Sequence, residues 1–371
     1  MTGVHELSRT DARRIAVRAQ LLAKDRPTDL LDVVRRLWLV QLEPTAAVAP
    51  SAELVLWSRL GSSFDARELW DALDEQRLVE LRGALKVPED VALFRAEMDE
   101  WPGAGPLRDW EKGLAAWVRT NNACRLDLLD RLRADGPLPS SELPDSCVEP
   151  WPSSGWNNNR NLRMMLSMLE QRGEVAAAGG TGRDRLWDLA ERIYPDDPYP
   201  PTEEGIRLRN ERRLSSLGLA RAKAPGHPFE PMHVGDAGEP AVVDGVKGTW
   251  RVDPAQLEGL GARFQGRAAL LSPLDRLLHD RRRMDDVFEF DYILEMYKPV
   301  EQRVWGYWAM PILYGDRLVG KLDARSDRKA GIFEVTAVHE DAPFGRAMAV
   351  AVDREIKDLA RWLDLELVRG R

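Results

Sequence analysis

Apolar residues recur at helical spacing in the first part of the chain and then give way to alternation. Residues 10–24 are helical in period, and Thr28 can cap a second helix through Leu30, Leu31, Val34 and Leu37. That helix runs on towards Trp38, Gln41 and Glu43 and should stop before Pro44. A third helix covers 52–60, and the capping-box pattern Asp65-Ala-Arg-Glu68 opens a fourth, to about 74. Residues 78–87 alternate around Gly83 and predict a hairpin. The plan then recurs: a helix over 110–134, a Gly-Pro turn, and a short helix after Ser140 and Ser141 with Cys147 near its end. A helix over 159–172 and a strand, glycine turn and strand over 173–189 complete it. Helix, turn, helix and two-stranded wing is the winged-helix plan, whose last helix can enter a DNA major groove. A looser third copy follows, with a helix from Thr202, alternation over 239–250 around Asp244-Gly245, and a helix opened by Asp253-Pro254.

The last hundred residues change character. A capped helix carries Arg281, Arg282 and Arg283. Residues 288–297, 304–313, 317–323 and 331–338 are strand-like, and 344–363 form an amphipathic helix. The predicted fold is α+β, with tandem winged-helix (helix-turn-helix) domains followed by a C-terminal β-rich, barrel-like domain. The expected segments are 1–105, 106–200, 201–268 and 269–371, the first carrying Gln41-Leu42-Glu43.

Composition narrows the function. With 44% hydrophobic and 31% charged side chains in 371 residues, the chain can bury cores and is not globally disordered. No apolar run approaches the ~20 residues that span a bilayer, and the N-terminus lacks a secretory pattern. Two cysteines, Cys124 and Cys147, exclude a disulfide framework and point to a cytoplasmic protein. The net charge of −8 argues against nucleic acid only superficially, because local distribution decides binding. Arg207, Arg209, Arg212, Arg213, Arg221 and Lys223 face one acid, Glu211, and the arginine triplet is a second cluster. Both are read either as phosphate contacts or as solvated and ion-paired helix faces. Glycine-rich phosphate loops and serine elbows are absent. The histidines, His5, His227, His233, His279 and His339, do not fall at metal-ligand spacing, although His227 and His233 share a loop stretch. The expectation is a protein without metal, nucleotide or other cofactor.

Several stretches together resemble the AlkZ/YcaQ group of bacterial DNA glycosylases. They are Leu37-Trp-Leu-Val-Gln41-Leu-Glu43-Pro, then Leu54-Val-Leu-Trp57-Ser58-Arg59-Leu, Asp188-Leu-Ala-Glu191-Arg192 and Leu270-Leu-Ser-Pro-Leu-Asp275 with His279-Asp280-Arg281-Arg282-Arg283. Phe288-Glu-Phe-Asp-Tyr292, Gly306-Tyr-Trp and Leu313-Tyr-Gly-Asp-Arg-Leu-Val-Gly-Lys-Leu-Asp323 continue the match in order over nearly the whole chain. The resemblance implies tandem winged helices and a β-rich barrel around double-stranded DNA. It also implies a monofunctional glycosylase acting on cationic N-alkylated purines, in some members including interstrand crosslinks. The group's signature is Gln, an aliphatic residue, then Gln or Asp. Here it reads Gln41-Leu42-Glu43, so the third residue departs from both forms.

The chemistry is coherent by itself. Alkylation at N7 of guanine makes the base a cationic leaving group. The remaining barrier belongs to an oxocarbenium-like sugar and the attacking water, which a carboxylate can stabilise and deprotonate. An adjacent amide can position that water. Gln41 and Glu43 would share one cleft on an extended backbone and diverge by ~200° on a regular helix. The longer glutamate leaves three readings: an active pair with a shifted range, a family fold without activity, or a helix-end cap beside an exposed acid. Arg59, His279, Arg281, Arg282, Arg283, Arg207 and Arg209 are the candidate DNA contacts. His279 could equally cap a buried polar group, and Arg59 could be structural. The competing functions are a non-catalytic winged-helix DNA binder or transcriptional regulator, and a protein–protein scaffold. The chain shows no heptad seam for a dimer, so a monomer is expected.

Overall fold

A computed structural model of the chain describes residues 3–151, 160–180, 185–225 and 230–370. In chain order the first elements are β1 (His5–Leu7), α1 (Arg9–Ala19), α2 (Leu30–Leu37), β2 (Val40–Gln41), α3 (Ser51–Leu60), α4 (Ala66–Asp74), β3 (Val79–Leu81) and β4 (Ala84–Lys86). Next come α5 (Ala92–Asp99), α6 (Asp109–Thr120), α7 (Asn122–Asp135), β5 (Leu138–Pro139), α8 (Asn161–Gln171), β6 (Val175–Ala177), β7 (Leu186–Leu189), α9 (Ala190–Ile193) and α10 (Thr202–Leu217). The last are β8 (Leu219–Arg221), β9 (Glu239–Val243), β10 (Val246–Val252), α11 (Pro254–Leu257), β11 (Ala268–Leu270), α12 (Arg281–Phe288), β12 (Met310–Tyr314), β13 (Arg317–Asp327), β14 (Ile332–Glu340), α13 (Arg346–Trp362) and β15 (Glu366–Arg369). The fold is α+β. Contacts divide it into two compact units, 67–209 and the combination of 1–66 with 210–371. That division does not follow the four consecutive segments expected from the sequence.

In the unit 67–209 the helices α6, α7 and α8 are followed by the β6–β7 hairpin. The strands run in the order β4-β3-β6-β7-β5. Leu128 and Leu132 of α7 and Met165, Leu166 and Leu169 of α8 meet over Val175 and Leu189. Burying these apolar faces is what holds the short helices, since isolated helices of this length are marginal in water. The short helix expected to reach Cys147 is only a 3-10 turn, Ser140–Glu142. Residues 181–184, in the expected glycine turn between these strands, and His227 lie outside the described residues.

In the other unit, β8, β9 and β10 form a sheet that β1 extends, pairing parallel to β9 with Leu7 opposite Val243. Ser8 and Asp11 form a capping box that starts α1. Its Ala12, Ile15 and Ala16 belong to one core with Leu219, Val243, Trp250 and Val252. The N-terminal helix therefore completes the third hairpin, over two hundred residues away.

The C-terminal strands run β11-β12-β13-β14-β15 as an open half-barrel, interrupted by irregular register at Ile312/Leu313 and Asp323/Ala324. Such bulges bend a strand and increase its twist. The helix α13 buries Val352, Ile356 and Leu359 and leads into β15, which pairs parallel to β14. The strand expected over 288–297 is not formed. Phe288, Phe290 and Tyr292 are buried in alternation, but no neighbouring strand accepts their backbone. Instead the buried Glu295 carboxylate accepts from the backbone nitrogens of Val304 (2.7 Å) and Trp305 (2.8 Å). Among the described residues no helix is long and apolar enough to cross a membrane.

Candidate active site

The signature stretch leaves its helix earlier than the apolar spacing predicts. The helix α2 ends at Leu37, and Trp38 takes φ 61°, a region that costs a bulky side chain about 1–3 kcal/mol. The buried indole offsets this strain, because its Nε1 donates to Glu230 at 3.2 Å. Glu230 also accepts from Arg213 Nε at 2.6 Å and lies 3.6 Å from Arg276, so its charge is compensated. Burial pushes the Arg276 guanidinium down to about 10, with Glu230 opposing that shift.

Beyond Trp38 the chain is extended. Gln41 closes β2, and Leu42, Glu43 and Pro44 follow without helical structure. Residues two apart on extended backbone share a face, an arrangement that this non-helical stretch allows and a regular helix would forbid. The reading of Gln41 as a helix-end cap is thereby corrected: it lies four positions beyond the last helical residue. Both side chains are half-buried. Glu43 Oε1 accepts from the Thr45 hydroxyl at 2.9 Å and from the Thr45 backbone nitrogen at 3.2 Å. The carboxylate is thus held by the residue two positions on. Its Oε2 and the Gln41 amide have no protein hydrogen bond among the described residues.

The loop is anchored at its far end as well. Ser326 on β13 donates its backbone N–H to Ala47 O at 2.8 Å, and Ser51 and Ser272 hydroxyls meet at 2.8 Å. The next turns of α3 carry Arg59, which is fully buried. It forms a two-pronged pair with Asp275, with Nη2 at 2.9 Å from Oδ1, and its Nε donates to Gln20 O at 3.1 Å. Two of the resembling stretches, around Trp57-Ser58-Arg59 and Leu270–Asp275, are thus one lock holding the loop's exit. Gly306 (φ 111°) likewise lies against Asp323, where a Cβ would strike the carboxylate.

The candidate DNA contacts separate by burial. Arg59 is corrected to a structural residue, since a guanidinium spent on Asp275 has no surface to offer a phosphate. Arg283 is corrected in the same way: buried, it donates to Leu217 O and Leu219 O, each at 2.8 Å, and burial lowers it to about 10. Arg209 is buried, pairs with Glu97 at 2.8 Å and lies over the Phe94 ring. Arg207 is exposed and paired with Glu204. Arg281 is exposed with no ion-pair partner among the described residues, and Arg282, 68% exposed, has only Asp286 at 3.8 Å. His279, between Asp275 and Arg281 in sequence, is half-buried. Sequence reasoning missed Thr45, Trp38 and Glu230. A hydroxyl two residues after an acid signals a local turn that holds the carboxylate. Nothing local marks Glu230.

Two comparisons bear on this arrangement. The family model described as "DNA glycosylase AlkZ-like" matches residues 34–362. The structure of the Streptomyces sahachiroi DNA glycosylase AlkZ superimposes with a TM-score of 0.67 at 17% identity, covering 99% of this chain and 99% of that one. At this identity the likeness speaks for the fold.

Proposed function

The chain belongs to the AlkZ-like family of DNA glycosylases, and from that premise we propose that it hydrolyses the N-glycosidic bond of cationic alkylated purines of the N7-alkylguanine type. One observation carries the reading: Gln41 closes β2 and Glu43 follows two residues on in a non-helical stretch, both half-buried, with Oε2 and the amide free of protein hydrogen bonds among the described residues. Alkylated guanine leaves as a neutral base, so little acid assistance is needed. The developing sugar cation needs a nearby negative charge, and Glu43 supplies it. Glu43 also takes a proton from the attacking water, which the Gln41 amide orients through one donor and one acceptor. Arg281 and Arg282 contact backbone phosphates of the duplex. Neither metal nor nucleotide takes part in this scheme.

The test is single-turnover release from a duplex containing one N7-methylguanine, at low salt. Wild type should release the base. Glu43→Ala should retain duplex binding and lose roughly 100-fold or more in rate, the scale of one electrostatic group. Gln41→Ala should lose less. A wild-type chain that binds the duplex yet releases nothing, from this lesion or from an interstrand crosslink, is instead a non-catalytic DNA binder.

A further inference from the structure

The only two cysteines of the chain meet. Cys124 is fully buried on α7, and Cys147 is half-buried on the segment that follows the 3-10 turn. Their sulfurs are 3.0 Å apart, both as free thiols. We propose that they are a reversible disulfide site, oxidised by a low-molecular-weight disulfide, which ties the segment 143–151 to α7.

The approach is built in by neighbours. One turn before Cys124, Asn121 donates to Glu149 O at 3.0 Å and accepts from Glu149 N at 3.0 Å. Trp117 donates to the same carbonyl at 3.1 Å, and its ring meets Trp151 edge-on at 5.0 Å. On the far side Asn161, the first residue of α8, accepts from Trp151 N at 2.8 Å. The segment carrying Cys147 is therefore already held against α7. Closing the remaining gap to the ~2.05 Å of a disulfide takes a displacement of about 1 Å. Asp145 is the third potential ligand in the cluster, which makes a metal site the competing reading. Two features disfavour it. Asp145 already accepts from Cys147 N and from Asn161 Nδ2, each at 3.3 Å. Two thiolates on one tetrahedral zinc ion stay ~3.8 Å apart, as bonds of ~2.3 Å require.

Accessibility fixes the order of steps. Cys147 is reached first, loses its proton and attacks the small disulfide, releasing one small thiol and leaving a mixed disulfide. The thiolate of Cys124 then attacks the Cys147 sulfur and expels the second small thiol. Two protein thiols and one small disulfide become one protein disulfide and two small thiols, so electrons and protons balance. Burial and the neighbouring Cys124 hold the Cys147 thiol well above the ordinary range, so the first step is slow.

The experiment incubates the full chain with oxidised glutathione, then with dithiothreitol, and follows intact mass and alkylation. The expected product has lost two hydrogens, carries no glutathione, protects both thiols and reverts with dithiothreitol. A non-reducing peptide map should link Cys124 to Cys147, and amide exchange over 143–151 should slow on oxidation. Melting should rise by roughly 5–10 °C, the scale for closing a loop of this length. Cys124→Ala, which lacks the second thiol, should instead keep a stable glutathione adduct on Cys147. Cys147→Ser should leave Cys124 unmodified. Two free thiols after oxidation overturn the proposal, as does a persistent adduct on wild-type Cys147. Protection of both thiols by one equivalent of zinc ion, with no disulfide formed on oxidation, overturns it in favour of a metal site.

Discussion

Residues 38–47 and 51–60 are neighbours in sequence, and both carry stretches that mark the family, yet their polar groups meet opposite fates. In the first, Gln41 and one oxygen of Glu43 stay available while the backbone is tied at Trp38 and Ala47. In the second, Arg59 and Ser51 are wholly buried and spent on Asp275 and Ser272. Two neighbouring stretches thus carry two kinds of polar residue, those left available to a substrate and those spent on holding the fold. Burial tells them apart where sequence order does not.

Substitutions in the two stretches should therefore fail in different ways. The largest effect is expected at Arg59→Ala, which leaves Asp275 as an unpaired buried charge. A loss of ~3–5 kcal/mol in unfolding free energy is expected, read by denaturant titration, with activity falling only as the folded fraction falls. Glu80 sharpens the contrast, as a buried acid that Arg185 serves incompletely. Burial raises its carboxyl to about 7, with Arg185 opposing the shift. The native chain then holds a proton that the unfolded chain releases near its ordinary carboxyl range. That contribution is whole at the acid end and is lost as pH rises towards about 7, by roughly 3 kcal/mol. Glu80→Gln should flatten the dependence between about pH 4.5 and pH 7, and an unchanged slope would count against it.

At the available pair the effects are kinetic. Thr45→Val removes one donor to Glu43, so release should slow roughly tenfold with stability nearly unchanged, and Thr45→Ser should restore it. The smallest effect belongs to Arg281→Ala and Arg282→Ala. Each should weaken duplex binding modestly and lower the salt slope by about one, measured by titration over a range of salt. The same test on Arg283→Ala should instead show a stability loss, because its donors serve Leu217 and Leu219 carbonyls.

Much of the fold was legible because it is local. The helix and hairpin over 66–86, most elements from 109 to 189 and the strands over 317–340 follow from periodicity and turn residues, although the helix expected over 110–134 divides at Asn121 and the short one after Ser140 and Ser141 is a 3-10 turn. Long-range pairing was not legible. The strands β1 and β15 are three and four residues long and acquire strand character only from distant partners. The alternation over 288–297 begins on the last residue of α12 and continues through irregular chain over a core, where Glu295 binds the backbone of Val304 and Trp305. At the site, the pair Gln41 and Glu43 was legible from its residue types. Its extended backbone was not, because Trp38 stops the helix through a bond to Glu230, 192 residues on. The arginine clusters stayed open between two readings for the same reason. Arg209 meets Glu97, 112 residues back, and Arg283 donates to the carbonyls of Leu217 and Leu219, 66 and 64 residues back.

The parallel pairing of β1 with β9 also sets an order of events during synthesis. The ribosome makes β1 and α1 well before β9 and β10, and their sheet exists only once residues 239–252 have emerged. At ~5–20 residues per second that is a wait of the order of ten seconds or more. Through that interval Ile15 and Ala16, the apolar face of α1, are without the strands that cover them. All of 67–209 is translated in the meantime, so the nascent chain depends on a late segment to shelter a much earlier one.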